Sequence, residues 1–228
     1  MSQTVRPAAP VRNRKSKLPW FVWLGLIFSA VGWWLLYQSK YFLVESVTVV
    51  GNSRLSTEQV TSTAAVPIGN ALMSVNTGAI TEQLTSLPEI KIATVERGWP
   101  HSVLITVSER TPIAVAQTAT GFNLIDDEGK NAGAVGKRPA GLLVIAADPD
   151  SPAMKSAIAI LAAVPANWKL SSLSAATQDS VIGVLGNGAS ITFGSGDRAK
   201  DKVDVASALM DKGYKIINVS APDAPTVR

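Results

Sequence analysis

Cysteine is absent from the 228 residues, and histidine occurs once, at His101. The first absence excludes disulfides, thiolate nucleophiles and cysteine metal ligands together, and the second leaves a single imidazole, too few for a zinc centre. Charge is sparse as well: acids and bases make up 17% of the chain, with a net charge of +4. That excess is local. Arg6, Arg12, Arg14, Lys15 and Lys17 place five of the 21 bases before residue 20 with no acid among them, so the other 16 face all 17 acids. No basic face remains that could neutralise a run of phosphates, and nucleic acid is excluded as a partner. Internal repeats and low-complexity tracts are also missing.

What is present begins with an uncharged run from Leu18 to Ser39. At about 1.5 Å per helical residue it reaches roughly 33 Å, enough for a hydrocarbon core of about 30 Å. Its Leu, Ile, Phe and Val residues together favour insertion by roughly 3 to 5 kcal/mol. Trp20 and Trp23 at one end, and Trp33, Trp34 and Tyr37 at the other, suit the two interfaces. A cleaved signal peptide would have a shorter apolar core ending in a small-x-small site, whereas the only small pair here, Ala30 and Gly32, sits inside the run. The predicted organisation is a basic cytoplasmic tail over 1–19, a transmembrane helix over 20–39 with its N-terminus inside, and two outer domains over 40–112 and 113–228.

In the first outer domain, 42–50 is β-branched and ends at Gly51-Asn52, a strand and a turn. Ser56 caps a helix, Gln59 completes a capping box, and Leu55 and Val60 take the places of a hydrophobic staple. Ile80, Leu84 and Leu87 mark a second helix, stopped by Pro88. The runs 90–97 and 103–109, separated by Gly98-Trp99-Pro100-His101-Ser102, read as a hairpin in which Val103, Ile105 and Val107 share one apolar face. Beyond Pro112 come short apolar runs at 113–116, 122–125, 142–146, 181–185, 190–193 and 215–219. Turns at Asp126-Asp127-Glu128-Gly129 and Gly186-Asn187-Gly188, and helices over 154–164 and 198–209, interrupt them. The fold class is α+β: a single transmembrane helix, a β-α-α-β-β domain, and a mostly antiparallel β-sheet domain with helices.

Val49-Val50-Gly51-Asn52, Gly69-Asn70-Ala71-Leu72, the stretch from Ala93 through Arg97 to Trp99-Pro100, and Ile105 through Glu109-Arg110-Thr111-Pro112 to Ala114 together resemble the POTRA domain of the FtsQ/DivIB family of bacterial cell-division proteins. Ile191-Thr192-Phe193-Gly194, a helix bearing Lys200 and Lys202, and the closing Ile216-Ile217-Asn218-Val219-Ser220-Ala221-Pro222 continue the likeness through Arg228, weakly over 130–180. Asn218 departs from it, since relatives commonly carry an acid there. The resemblance implies a membrane-anchored division scaffold at the septum, without catalysis or cofactor. It also implies that the C-terminal sheet binds the coiled-coil partner FtsB, or DivIC, itself paired with FtsL.

The residues suggest how. The 215–219 strand, followed only by a short Pro-containing tail, is expected at a sheet edge whose unpaired N–H and C=O groups accept a partner strand. The candidate contacts are Ile216, Ile217, Asn218, Val219, Ser220, Ala221 and Asp223, and Val219→Pro is expected to remove one outward donor without unfolding the domain. Gly51, Asn52, Arg97, Trp99, Pro100, Glu109, Arg110 and Pro112 read as structural signposts of the first domain and its junction with the second. Catalytic readings fall away. His101 sits in a turn with no serine on a strand-to-helix elbow. Asp126-Asp127-Glu128 lacks the alternating ligands of a calcium loop and reads as a solvated hairpin tip. Gly194-Ser195-Gly196-Asp197-Arg198-Ala199 matches a dinucleotide fingerprint but follows a hairpin strand, and Asp197 would repel a phosphate. Two other functions stay open at this level: a membrane-anchored cell-wall enzyme, and a POTRA module serving polypeptide transport.

Overall fold

The structure is a computed structural model and describes residues 20–38 and 42–228. The expected basic tail, 1–19, lies outside the described residues, as do Leu18, Pro19 and Ser39 of the expected anchor. Helix α1, Trp20–Gln38, is apolar with no polar stripe, and Phe21, Trp23, Leu26, Ile27 and Phe28 are all exposed. At about 1.5 Å per residue it measures roughly 28 Å, against about 30 Å of hydrocarbon. Among the described residues no helix is long and apolar enough to cross a membrane.

The next layer is a small α/β unit. Strand β1 (Ser46–Val50) leads to α2 (Thr57–Ala64), whose capping box forms as expected: the Ser56 hydroxyl accepts from the Gln59 amide at 3.1 Å and the Ser56 amide donates to Gln59 Oε1 at 2.8 Å. Helix α3 (Thr77–Thr85) is capped by Asn76, and β2 (Ile90–Gly98) and β3 (Ser102–Glu109) form the hairpin. The strands lie in the order β1-β3-β2, with β1 parallel to β3. Val103, Ile105 and Val107 face α2 and α3 and are buried with Val60, Leu72, Ile80 and Leu84. At about 25 cal/mol per Å2 of apolar surface removed from water, these side chains are the main stabilising term of the unit.

The second unit is one nine-stranded sheet. Strands β4 (Pro112–Thr118), β5 (Gly121–Asp126) and β6 (Asn131–Val135) form a meander, followed by β7 (Leu143–Ala146), helix α4 (Pro152–Ala163), β8 (Leu170–Ala175), β9 (Val181–Leu185), β10 (Ser190–Gly194), α5 (Ala199–Asp211), β11 (Ile216–Asn218) and β12 (Thr226–Val227). Their spatial order is β12-β11-β10-β9-β8-β7-β4-β5-β6. Five neighbouring pairs are antiparallel, while β4–β7, β7–β8 and β10–β11 are parallel. Two of the parallel pairs arise where a helix carries the chain back across the sheet, β7 reaching β8 through α4 and β10 reaching β11 through α5, while β4 and β7 are joined through the β5–β6 hairpin. Both helices cover one face, burying Ile145, Met154, Ile158, Phe193, Val203, Ile217 and Val219 in one core. Sequence reading missed β6, β8 and β12: glycine in β6 and serines in β8 mask the strand pattern, and β12 is only two residues long.

Candidate protein-interaction site

The C-terminal strand is where structure and sequence reading part. Strand β11 is not an edge. It pairs with β10 on one side, and on the other with β12, which the tail forms by folding back, Ile217 opposite Val227 and Asn218 opposite Thr226. The outermost strand is therefore β12. Ile217 and Val219 are 1% and 0% exposed, and the Val219 amide donates to the Thr192 carbonyl at 2.9 Å. Val219 thus closes the fold, and Val219→Pro would remove an internal hydrogen bond and not an outward donor. Ile216, Asn218, Ser220, Ala221 and Asp223 are exposed.

The loop between β11 and β12 is pinned at both ends. Asn218 Oδ1 accepts from the Ser220 amide at 3.0 Å and its hydroxyl at 2.8 Å. Arg198 reaches Asp223 with two hydrogen bonds of 2.8 and 3.1 Å while also donating to Asp201 at 2.9 Å. Hydrogen bonding to Asp223 raises the Arg198 pKa, and Asp223 is held below the usual carboxylate range by the same contact. Arg198 holds this position at φ 50, in the left-handed region where a side chain is strained, and it makes no side-chain cap for α5. Arg198 and β12 are parts of this surface that sequence reading missed. The visible signal was Asp223, a lone acid in a turn-rich tail.

The second cluster is the junction of the two units, where Gly51, Asn52, Glu109, Arg110 and Pro112 converge. At Gly51 (φ 89) the Val107 carbonyl oxygen occupies the space a Cβ would need, so only glycine fits the turn. Asn52 Nδ2 donates to the Leu55 carbonyl at 2.9 Å. Glu109 accepts from the amides of Ser53, Arg54 and Leu55 at 2.8, 2.9 and 3.0 Å. Burial by itself would raise its pKa, but these three amides and the Ser53 hydroxyl outweigh that and lower it to about 2. Arg54, unnoticed in the sequence, lies 3.4 Å from Glu109 and donates to the Arg110 carbonyl at 2.8 Å and the Ala132 carbonyl at 3.4 Å.

Arg110 in turn meets Asp126 at 2.6 Å and Glu128 at 3.3 Å. Asp126 is 0% exposed, which corrects the expectation of a solvated hairpin tip: only Asp127 and Glu128 are solvated. Burial works to raise Asp126, but the Lys130 amide, Arg110 and the Glu128 amide overcome it and hold the pKa below its ordinary value. Pro112 opens β4 opposite Asp126. Two signposts lie elsewhere. Arg97 donates to the carbonyls of Leu72 and Val75 at 3.0 and 2.7 Å, tying the loop before α3 to β2. Trp99-Pro100 is a cis pair, and Trp99 packs edge-on against Phe42 at 5.5 Å.

The residues weighed for chemistry stand apart. His101 Nδ1 lies 3.8 Å from Glu45, beyond hydrogen-bond reach. Lys202, 3% exposed, donates to the Ser195 carbonyl at 2.8 Å and fills the glycine-rich turn before α5; burial lowers its pKa. Among the described residues no three His, Asp or Glu side chains are grouped to hold a metal ion.

Comparison with known proteins points one way. The family model for the POTRA domain, FtsQ-type, matches residues 42–110. The chain is similar to the cell division protein FtsQ of Streptomyces collinus, 32% identical over 84% of this chain and 80% of that one. With the FtsQ of Streptomyces bingchenggensis it is 31% identical, over 94% and 86% of the two chains. With that of Mycobacterium leprae it is 28% identical over 89% of this chain, which spans 62% of the leprosy protein's length.

Proposed function

Because the chain belongs to the FtsQ family of cell-division proteins, we propose that it is a non-catalytic, membrane-anchored scaffold of the division apparatus, placed at the septum with its bulk outside the cell membrane. The anchor is assigned to the uncharged sequence from Leu18 to Ser39, within which helix α1 is apolar around its circumference. The rest of the chain recognises other division proteins.

The observation that carries the reading is the position of β12. Arg228 and Ile216 exchange backbone bonds, N to O at 2.9 and 3.4 Å, so strand alternation turns the N–H and C=O of Val227 away from β11. This open edge accepts a strand from an FtsB- or DivIC-type partner, itself paired with an FtsL-type protein. Ile216, Asn218, Ser220, Ala221 and Asp223 flank it with exposed side chains, while Ile217 and Val219 hold the edge from within.

The test is a photo-crosslinking residue at Thr226 in dividing cells, combined with Val227→Pro, which deletes the outward donor where an edge strand tolerates proline. Capture of the coiled-coil partner, lost in the proline variant while the circular dichroism spectrum is kept, is the expected result. Undiminished capture in the folded proline variant would refute pairing at β12.

A further inference from the structure

A cleft of about 640 Å3 in the second unit, lined by residues of β4, β7 and the β8–β9 loop and by none of β12, lies at the point where the nine-stranded sheet splits. Strand β7 pairs with β4 only at Leu143 and Val144, then with β8 only at Ile145 and Ala146. As β7 swings from one neighbour to the other, β4 runs on paired only with β5, and a wedge opens between β4 and β7. Gln117 of β4 forms one wall and Ala146 of β7 the other. Thr177 and Gln178 from the β8–β9 loop, with Asp148 and Ser151 ahead of α4, close the mouth.

The β4 wall carries an unused peptide group. Thr118 and Gly121 flank a two-residue turn, so they form the hydrogen-bonded pair that closes the β4–β5 hairpin. Alternation then points the N–H and C=O of Val115 and Gln117 away from β5. Those of Val115 meet β7, which pairs there through Val144, and those of Gln117 open into the wedge. The carboxamides of Gln117 and Gln178 have no hydrogen-bond partner among the described residues.

The lining decides among occupants. At the start of α4, Pro152 has no N–H and the Met154 amide is taken by the Ser151 hydroxyl at 3.0 Å, which leaves the Ala153 amide as the first turn's only open donor, with Asp148 close by. An anion is therefore poorly served. No aromatic ring lines the cleft to stack on a sugar, and one carboxylate does not make a cation site. Free carboxamides and an unpaired strand peptide match the amide groups of an extended polypeptide. We infer that this wedge is a second protein-binding site, which takes an extended, uncharged or basic peptide segment of a partner as a short added strand beside Gln117. It stands independently of the β12 edge.

The probe is a phage-displayed library of random peptides, selected on the full chain in detergent. Peptides retained by the native chain are expected to bind about tenfold or more weakly to Gln117→Pro, which removes the open donor, and to Ala176→Trp, which plugs the cleft from an exposed position. They are expected to bind Val227→Pro as tightly as the native chain, separating this site from the edge. Retention of no peptide, equal binding to the native chain and to folded Ala176→Trp, or displacement of the peptides by a neutral chitin oligosaccharide overturns the proposal.

Discussion

Glu109→Gln isolates the electrostatics of the junction. The native carboxylate is 7% exposed and receives three main-chain amides, which lower its pKa from 4.5 to about 2. A shift of that size is worth about 3 kcal/mol of stability once the group is ionised in both folded and unfolded chains. The folded pKa is depressed, so the contribution is fully present above the unfolded value near 4.5 and is lost as pH falls through about 2. Glutamine keeps the shape and one acceptor oxygen, but has no charge and turns an NH2 group toward the Arg54 amide and guanidinium. Urea denaturation of the full chain in detergent, followed by circular dichroism from pH 7 to pH 2, should show the variant about 2 to 3 kcal/mol less stable at pH 7, with the gap closing between pH 4.5 and pH 2. A gap that stays constant across that range would refute the assignment, because it would mean that packing, and not ionisation, sets the cost.

Three further outcomes follow from the same geometry. Arg110→Ala strips the counter-charge from fully buried Asp126 and should cost about 3 to 5 kcal/mol by the same denaturation assay, whereas Lys91→Ala, which breaks only solvent-facing pairs with Asp127 and Glu128, should leave the denaturation midpoint nearly unchanged. Val219→Pro should unfold or severely destabilise the second unit, by about 3 kcal/mol or more, since it removes the bond to Thr192 from a buried position; a native-like melting temperature would refute that placement. Asp223→Asn should release the β11–β12 loop from Arg198, seen as faster amide exchange at Ile216 and Asn218, whose N–H groups face β12, with exchange in β8 and β9 unchanged, and 1 M salt should reproduce the effect in the native chain.

Local signals carried the first unit. The capping box at Ser56 and Gln59, the period-two pattern of Val103, Ile105 and Val107, and the glycine required at Gly51 each act within a few residues, and each is found in place. Both helices of the second unit were legible for the same reason. What escaped depended on distant partners. Strand β8 contains Ser171, Ser172 and Ser174, a poor strand pattern, and is held as a strand by β7 and β9 on its two sides. Arg54 looks like a surface base until the chain brings Glu109 and Ala132 to it, residues more than fifty positions away.

The edge of the sheet was illegible for a deeper reason. Alternation in Ile216-Ile217-Asn218-Val219 says which side chains face the core, and the structure agrees: Ile217 and Val219 are covered, Ile216 and Asn218 are not. Alternation is silent about which peptide groups are already bonded, because every strand offers the same N–H and C=O pattern along both sides. Ownership of an edge is settled by whichever segment returns to it, and here two residues, Thr226 and Val227, return across a loop held by Arg198 and Asp223. A strand so short has few bonds of its own. Its placement is supported by the clasp, so the edge proposed for a partner is coupled to an ion pair that lies outside the strand. Binding at β12 should consequently respond to charge changes at residues 198 and 223 even where the partner touches neither.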